Sequence, residues 1–188
     1  ESGKRPPRLT GQALRIGRNP EKHLEYMRAL HARMTEVPAA LEQLVPALAA
    51  DGIRMGSHDD RTPDQRIYWH DMGVRIAEFP ETAGAAETAA RLGDPVILGA
   101  PNIVRGGSHN GNVSAIDMVV TGNCSALASD YHYPSLRRAA FLLSDAGMTG
   151  LAGAWALVSS GPARVLGLED RGTLAPGQRA DIVIIDAG

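Results

Sequence analysis

Two residues of this sequence combine a metal-binding side chain with a position at the end of a short apolar segment. His58 ends the segment 53–58, and Asp130 follows the segment 125–128. Imidazole nitrogen and carboxylate oxygen are frequent ligands of divalent transition metals. A carboxylate at a metal site can also accept a proton from water. The pattern therefore predicts a metal site at His58 and Asp130, with Asp130 as the general base.

Each of these residues also has a simpler structural interpretation. A histidine at a strand end is often only hydrogen-bonded, and an aspartate before a helix often serves as its N-cap. Asp59 and Asp60 follow His58 directly, and either carboxylate could orient the ring of a metal-binding histidine. The residues alone leave the structural and the metal-binding interpretations open.

A third candidate is the segment 102–112, which is rich in hydrogen-bond donors and poor in bulky side chains. Its glycines can expose backbone N–H groups, and Arg105 offers a planar guanidinium that suits phosphate. The spacing of a Walker loop is absent. The segment predicts a loop that binds an anionic ligand. The alternative is a loop that only connects two secondary-structure elements. The residues that we predict to bind substrate are Asn102, Arg105, Gly107, Ser108, His109 and Tyr131.

Composition excludes several classes of function. Basic and acidic residues nearly balance, with 19 Lys and Arg against 21 Asp and Glu, so we expect no nucleic-acid partner. No apolar run approaches the length of about 18 residues that a membrane helix needs, so we expect no membrane partner. The single cysteine, Cys124, fits a reducing, cytoplasmic compartment and predicts a buried, inert thiol.

Strands and helices must alternate to position these residues. Four apolar segments, ending near His58, Phe79, Leu98 and Ala128, are each followed by a helical pattern. Strands joined by helical crossovers form a parallel sheet, and the carboxyl ends of its strands meet at one edge. Either an open doubly wound sheet or half of an eight-stranded barrel would fit. The predicted helices are 20–34, 36–50, 64–72, 83–92, 113–120, 135–146, 150–160 and 161–168.

The two ends of the chain differ from this repeat. Residues 1–18 contain several glycines and prolines and are predicted to be a loop. Near the other end, Pro176 and Gly177 mark a turn before the apolar segment 182–185, which predicts a strand of a separate small sheet. The sequence has no initial methionine and stops just after this segment, so we expect it to be part of a longer protein.

Four motifs occur in an order that resembles one family of the amidohydrolase superfamily. They are Ser57-His58-Asp59-Asp60, Ile76-Ala77-Glu78-Phe79-Pro80, the segment 99–109 that begins Gly-Ala-Pro-Asn, and Ser129-Asp130-Tyr131. Together they resemble the C-terminal half of the diphosphatases that act on ribosyl methylphosphonate triphosphates. The resemblance extends over about residues 50–186, and its tail, 162–181, is similar to many amidohydrolases.

The resemblance implies a fold and a division of the chain. Such enzymes have a distorted (β/α)8 barrel and a small β-sandwich. Residues 1–168 would then form a partial α/β barrel, with strands five to eight and a helical N-terminal segment. Residues 169–188 would begin the β-sandwich.

The resemblance also implies an activity. It is cleavage of the triphosphate of α-D-ribose 1-methylphosphonate 5-triphosphate, with release of diphosphate, in the carbon–phosphorus lyase pathway. The cofactor would be a divalent metal, zinc or manganese and binuclear in the complete protein, held here by His58 and Asp130. The segment around Arg105 would hold the phosphates.

One departure from the superfamily pattern affects the expected partners. The sequence before His58 contains neither the His-x-His or His-x-Asp pair of the superfamily's first strand nor the expected bridging ligand. We therefore expect this chain to associate with the missing N-terminal half or with a second copy of itself. Two alternatives stay open: a deaminase or cyclic-amide hydrolase on the same scaffold, or a non-catalytic fragment that self-associates.

Overall fold

The first of two compact units is helical. The computed structural model describes residues 8–107 and 113–185, and the chain divides into units 1–47 and 48–188. The first unit contains helices α1 (Leu9–Arg15) and α2 (Pro20–Ala32), a 3-10 turn (Met34–Glu36) and most of α3 (Val37–Ala50).

Helix α2 begins where the sequence predicts. The Asn19 side chain accepts hydrogen bonds from the backbone N–H groups of Glu21 and Lys22, and Pro20 occupies the first turn. The prediction of a loop over residues 1–18 is wrong for α1. This short helix forms because Leu9 and Ala13, one turn apart, are both buried.

The second unit is built on a parallel sheet of four strands. They are β1 (Gly56–His58), β2 (Ile76–Glu78), β3 (Val96–Gly99) and β4 (Ala126–Ala128). The strands lie in chain order, β1-β2-β3-β4. A doubly wound sheet reverses its strand order, and the described strands do not, so the order favours the barrel alternative. The predicted α/β class is confirmed, with a sheet that is consistent with part of a barrel.

A helix follows each strand, and three of the described helices of this unit begin with a side-chain N-cap. Thr62, Thr82 and Ser114 accept hydrogen bonds from backbone N–H groups in the first turns of α4, α5 and α7. Gly73 and Gly93 end α4 and α5 in the left-handed conformation. The helices of this unit are α4 (Pro63–Met72), α5 (Ala83–Leu92), α6 (Ala100–Arg105), α7 (Ala115–Val120), α8 (Ser135–Asp145), α9 (Leu151–Ala156) and α10 (Ser160–Leu166).

Three details differ from the sequence-based predictions. Residues 102–105 of the predicted loop 102–112 lie in α6, because Pro101 suits a first helical turn and Gly106 supplies a left-handed end. The segment 150–160 is not one helix, because α9 ends at Ala156 and α10 begins at Ser160. Residues 182–185 form no strand, since none of the four described strands pairs with them and a strand needs such a partner.

Small residues make the core of the second unit. Alanines from β2, α5 and α8 pack with a few larger side chains, of which Leu143 is fully buried. Small side chains let helices approach the sheet closely. Gly161 of α10 is an extreme case, since a Cβ there would collide with the carbonyl oxygens of Ser125 and Ala156. No helix in the described part of the chain is both long enough and apolar enough to cross a membrane.

Candidate functional site

The carboxyl edge of the sheet carries an unusual backbone feature. Asp59, Phe79 and Asp130 are the non-glycine residues with positive φ in the described ranges, with values of 62°, 51° and 49°. Each follows a strand end closely, after β1, β2 and β4. Such conformations cost about 1–3 kcal/mol each and concentrate at functional sites. This edge of the sheet is therefore the candidate site.

The imidazole of His58 is held in a defined orientation at this edge. His58 Nδ1 lies 3.0 Å from Oδ2 of Asp59, and about half of each side chain is exposed. A carboxylate oxygen only accepts, so Nδ1 must carry the proton. The edge of the Phe79 ring meets the His58 ring, with 5.2 Å between their centroids. The Nε2 atom is thus the nitrogen left for a ligand, as in carboxylate–histidine–metal arrangements.

Asp130 lies in an exposed turn between β4 and α8. The turn is closed by the backbone N–H of His132, which donates to Ser129 O, and by Ser135, whose hydroxyl donates to His132 O. The N-cap position of α8 is Pro134, and no side chain caps this helix, so the N-cap interpretation of Asp130 is wrong. Across residues 8–107 and 113–185, the Asp130 carboxylate has no hydrogen-bond or ion-pair partner.

Four of the six predicted substrate-binding residues lie together beside Asp130. Arg105 donates from Nη2 to Asn102 Oδ1 at 2.7 Å and from Nη1 to the Tyr131 hydroxyl. The backbone N–H of Gly107 donates to the Asn102 carbonyl at 3.0 Å. The guanidinium of Arg105 is exposed and bound to neutral groups, so it remains available to an anion. Ser108 and His109 lie outside the described residues.

Gly99 lies between the two halves of this edge. A Cβ at Gly99 would lie 3.5 Å from Asn102 Nδ2 and 3.8 Å from Phe79 Cε1. Phe79 in turn contacts His58. The side chains from β1 to the Arg105 group therefore line one continuous edge.

His58 and Asp130 share this edge but lie on its two outer strands. Strands β2 and β3 separate β1 from β4, which corresponds to about 14 Å along the sheet. Residues 8–107 and 113–185 contain no group of three His, Cys, Asp or Glu side chains that could hold a metal. The donor set of imidazole and carboxylate suits zinc or manganese, but it supplies only part of a metal site.

Other residues fall into clear classes. Burial raises the pKa of Cys124 to about 12, which agrees with an inert thiol. His70 binds Asp94 away from this edge, with 2.8 Å between Nδ1 and Oδ2. Glu78 is half-buried and lies in register with His58, and the exposed His132 follows Asp130.

Sequence reasoning missed two residues that fix the site. Phe79 was part of a motif, but nothing in its type announces a positive φ or a contact with His58. Arg66 is fully buried in α4, one turn before His70. One signal could have identified Arg66. Two polar residues one turn apart lie on a helix face that packs on a sheet.

Comparison with known proteins agrees with the resemblance seen in the sequence. Residues 147–188 match the model described as the amidohydrolase family. The alpha-D-ribose 1-methylphosphonate 5-triphosphate diphosphatase of Escherichia coli (strain K12) is 41% identical over 166 residues, which cover 87% of this chain and 43% of that protein. The predicted resemblance is therefore confirmed.

Two further relatives have other activities in their names. An adenine deaminase of Methanoregula boonei is 31% identical over 125 residues, covering 62% of this chain and 22% of the relative. An N-acyl-D-glutamate deacylase of Alcaligenes xylosoxydans is 29% identical over 171 residues, covering 83% of this chain and 34% of the relative. The chain spans less than half the length of each of these three curated relatives.

Proposed function

We propose that this chain is part of a metal-dependent hydrolase of the amidohydrolase superfamily. Its reaction is cleavage of the triphosphate of α-D-ribose 1-methylphosphonate 5-triphosphate, with release of diphosphate, in phosphonate catabolism. The observation that carries the proposal is the hydrogen-bonded group of Asn102, Arg105 and Tyr131 next to the turn of Asp130, whose carboxylate has no partner among the described residues. The 41% identity to a diphosphatase of that name supports the same substrate.

Arg105 is the proposed phosphate-binding residue. Its guanidinium can donate two parallel hydrogen bonds to a phosphate, which gives both affinity and orientation. Asn102 and Tyr131 hold the guanidinium in place through neutral acceptors. Phosphate oxygens are stronger acceptors, so a phosphate would replace at least one of these bonds.

Asp130 is the proposed general base. Its carboxylate is exposed at the edge where the phosphate would lie, and no described side chain competes for it. It can therefore accept a proton from the water that attacks phosphorus. The left-handed backbone at Asp130 directs this turn away from the path of the strand.

His58, through Nε2, and Asp130 would each supply one ligand to a divalent metal centre of zinc or manganese, binuclear in the complete protein, because a single ion cannot reach donors on strands about 14 Å apart. When bound, such a cation polarises phosphoryl oxygens and lowers the pKa of water. Asp59 keeps the His58 proton on Nδ1, which leaves the opposite nitrogen free to donate its lone pair. Because these two donors lie on the outer strands, further metal ligands must come from residues other than the described strands.

The proposed partner is a polypeptide that completes the barrel, either an N-terminal half or a second copy of this chain. Within the described residues, β1 and β4 each have one edge without a neighbouring strand. Exposed strand edges bind further strands readily. Association at these edges would also bring additional ligands to the carboxyl side of the sheet.

An amide-type hydrolase is the second candidate, favoured by the similarity to an adenine deaminase and an N-acyl-D-glutamate deacylase. One scaffold can support both chemistries. Neutral amide and purine substrates give Arg105 no phosphate to bind. Dependence of substrate affinity on Arg105 therefore separates the two candidates.

A chimera tests the proposal directly. The region of the Escherichia coli diphosphatase that matches this chain would be replaced by this chain's residues, and diphosphate release would be followed by phosphorus NMR with zinc or manganese. We expect turnover in the chimera and loss of turnover in its Asp130→Asn variant. A folded, metal-loaded chimera that releases no diphosphate but deaminates adenine or deacylates N-acyl amino acids would contradict the proposal.

A further inference from the structure

A buried network of charged groups lies beneath the residues that hold His58. Its centre is Arg66 of α4, whose side chain is fully buried. Arg66 Nη1 donates to Ser57 Oγ at 2.7 Å and to Asp60 Oδ2 at 3.2 Å. Ser57 Oγ donates to the same Asp60 oxygen at 2.6 Å. These bonds close the turn 57–60, which has His58 and Asp59 at its centre.

The same guanidinium also ties this turn to the next two strands. Arg66 donates from Nη1 to the carbonyl of Ile76 at 3.1 Å and from Nη2 to the carbonyl of Val74. Its Nε lies 3.5 Å from Oδ2 of Asp94, just before β3. The same carboxylate oxygen lies 2.8 Å from His70 Nδ1. One side chain therefore contacts β1, the start of β2 and the segment just before β3.

Burial of such a charged network costs free energy of folding. Removing a charged pair from water costs several kcal/mol per ion, and an apolar pair of similar volume is often as stable. Burial alone therefore does not explain why an arginine occupies this position. The specific bonds to Ser57 and Asp60 indicate that the geometry of the turn is what the network maintains.

The geometry of the turn is strained at one residue. Asp59 has a φ of 62°, and its backbone N–H donates to the Glu78 carbonyl at 3.1 Å. This conformation brings the Asp59 carboxylate to His58 Nδ1. A short exposed turn would relax from such a conformation unless its flanking residues were fixed. Ser57 and Asp60 are those flanking residues.

We infer that Arg66 is a positioning residue, which acts through Ser57 and Asp60 to hold Asp59 against His58 and so keeps the His58 proton on Nδ1. The inference rests on the proposed function, in which Nε2 of His58 holds a metal. It assigns Arg66 a role in the site although its side chain does not reach the exposed edge of the sheet.

The test determines which ring nitrogen of His58 carries the proton in the metal-free 188-residue chain. Nitrogen-15 NMR of the histidine rings at about pH 8.5, above the ordinary pKa of imidazole, distinguishes the two neutral tautomers. A His58→Gln variant assigns the signal. The variants are Ser57→Ala and Arg66→Lys, and the matched control is Ser125→Ala, which removes a hydroxyl that accepts from Val96 N at the opposite end of the sheet.

We expect the wild-type chain and the control to show the Nδ1–H tautomer of His58. Ser57→Ala and Arg66→Lys should lose it in favour of a mixture. Ser57→Ala removes only one oxygen and keeps the Arg66–Asp60 pair, so it serves even where Arg66→Lys does not fold. The inference is overturned if a folded Ser57→Ala chain keeps the wild-type tautomer. It is also overturned if the Ser125→Ala control loses that tautomer.

Co²⁺ binding to the chimera tests this inference separately from the proposed function. The visible absorption of the bound ion measures that binding. Residues that orient a ligand histidine typically contribute 10–100-fold to metal affinity, so Ser57→Ala should weaken Co²⁺ binding about tenfold. A tautomer change in Ser57→Ala without any His58-dependent Co²⁺ binding in the chimera supports the positioning role of Arg66 and contradicts a metal at His58.

Discussion

Arg105 of α6 donates a hydrogen bond to the hydroxyl of Tyr131, the residue that follows Asp130. This bond joins the helix after β3 to the turn after β4. It places the proposed phosphate-binding group and the proposed general base on neighbouring segments. A phosphate that binds Arg105 would therefore lie next to the turn that carries Asp130.

Replacement of Arg105 by lysine tests its role as a phosphate-binding residue. Lysine keeps the charge but cannot offer two parallel donors, so we expect diphosphate to bind this chain about tenfold more weakly. Isothermal titration calorimetry with diphosphate measures the change. Arg61→Lys is the matched control, because Arg61 forms an exposed ion pair with Glu81. Equal affinities of Arg105→Lys and the wild type would remove Arg105 from the site.

Asp130→Asn separates chemistry from backbone strain. Asparagine tolerates the left-handed conformation that Asp130 adopts, with a φ of 49°. We expect the chimera to lose turnover by at least about 100-fold, since general-base catalysis contributes about 10²–10⁴-fold. Its melting temperature should stay close to that of the parent.

Asp130→Ala completes this design. Alanine removes the carboxylate and also fits the left-handed region poorly, so this variant should lose turnover and about 1 kcal/mol of stability. Diphosphate release and thermal unfolding report the two effects separately. Turnover of Asp130→Asn at the parental rate would exclude Asp130 as the base.

The alternation of strands and helices could be predicted from the sequence. Helix α5 occupies 83–92 as predicted, because Thr82 and Gly93 are recognisable caps. The four strands also lie within or next to their predicted apolar segments. These features depend on local patterns, and local patterns can be read without knowing the fold.

Features that depend on distant segments could not be predicted in this way. Arg66 is buried because carboxylates and carbonyls from three strands surround it, whereas an arginine is ordinarily expected at the surface. The segment 182–185 has the composition of a strand, but none of the described strands pairs with it. Asp59 and Phe79 adopt positive φ because of the sheet edge and not because of their residue types.

Two glycines should respond differently to replacement by alanine. A Cβ at Gly161 would collide with backbone oxygens of Ser125 and Ala156, which cannot move without displacing β4 and the end of α9. We expect Gly161→Ala to lower the free energy of unfolding by about 3 kcal/mol, in the range typical of severe overpacking. Urea denaturation measures this change.

Gly99→Ala is the matched control for this prediction. A Cβ at Gly99 would meet side-chain atoms only, at 3.5 Å or more, and the backbone there has a φ of −79°. The change should alter stability by less than about 1 kcal/mol. Similar losses in the two variants would show that α10 does not pack on β4 as described.

The raised pKa of Cys124, about 12 instead of 9.0, predicts both its reactivity and a pH effect on stability. Burial favours the neutral thiol, so iodoacetamide should label Cys124 slowly at about pH 8 and rapidly only after unfolding. Because the unfolded thiol loses its proton near pH 9 and the folded thiol does not, the folded state becomes less favourable as the pH rises from about 9 to 12. Cys124→Ala should weaken this pH dependence of urea denaturation. Rapid labelling of the folded chain, or an unchanged pH dependence in the variant, would contradict the burial of the thiol.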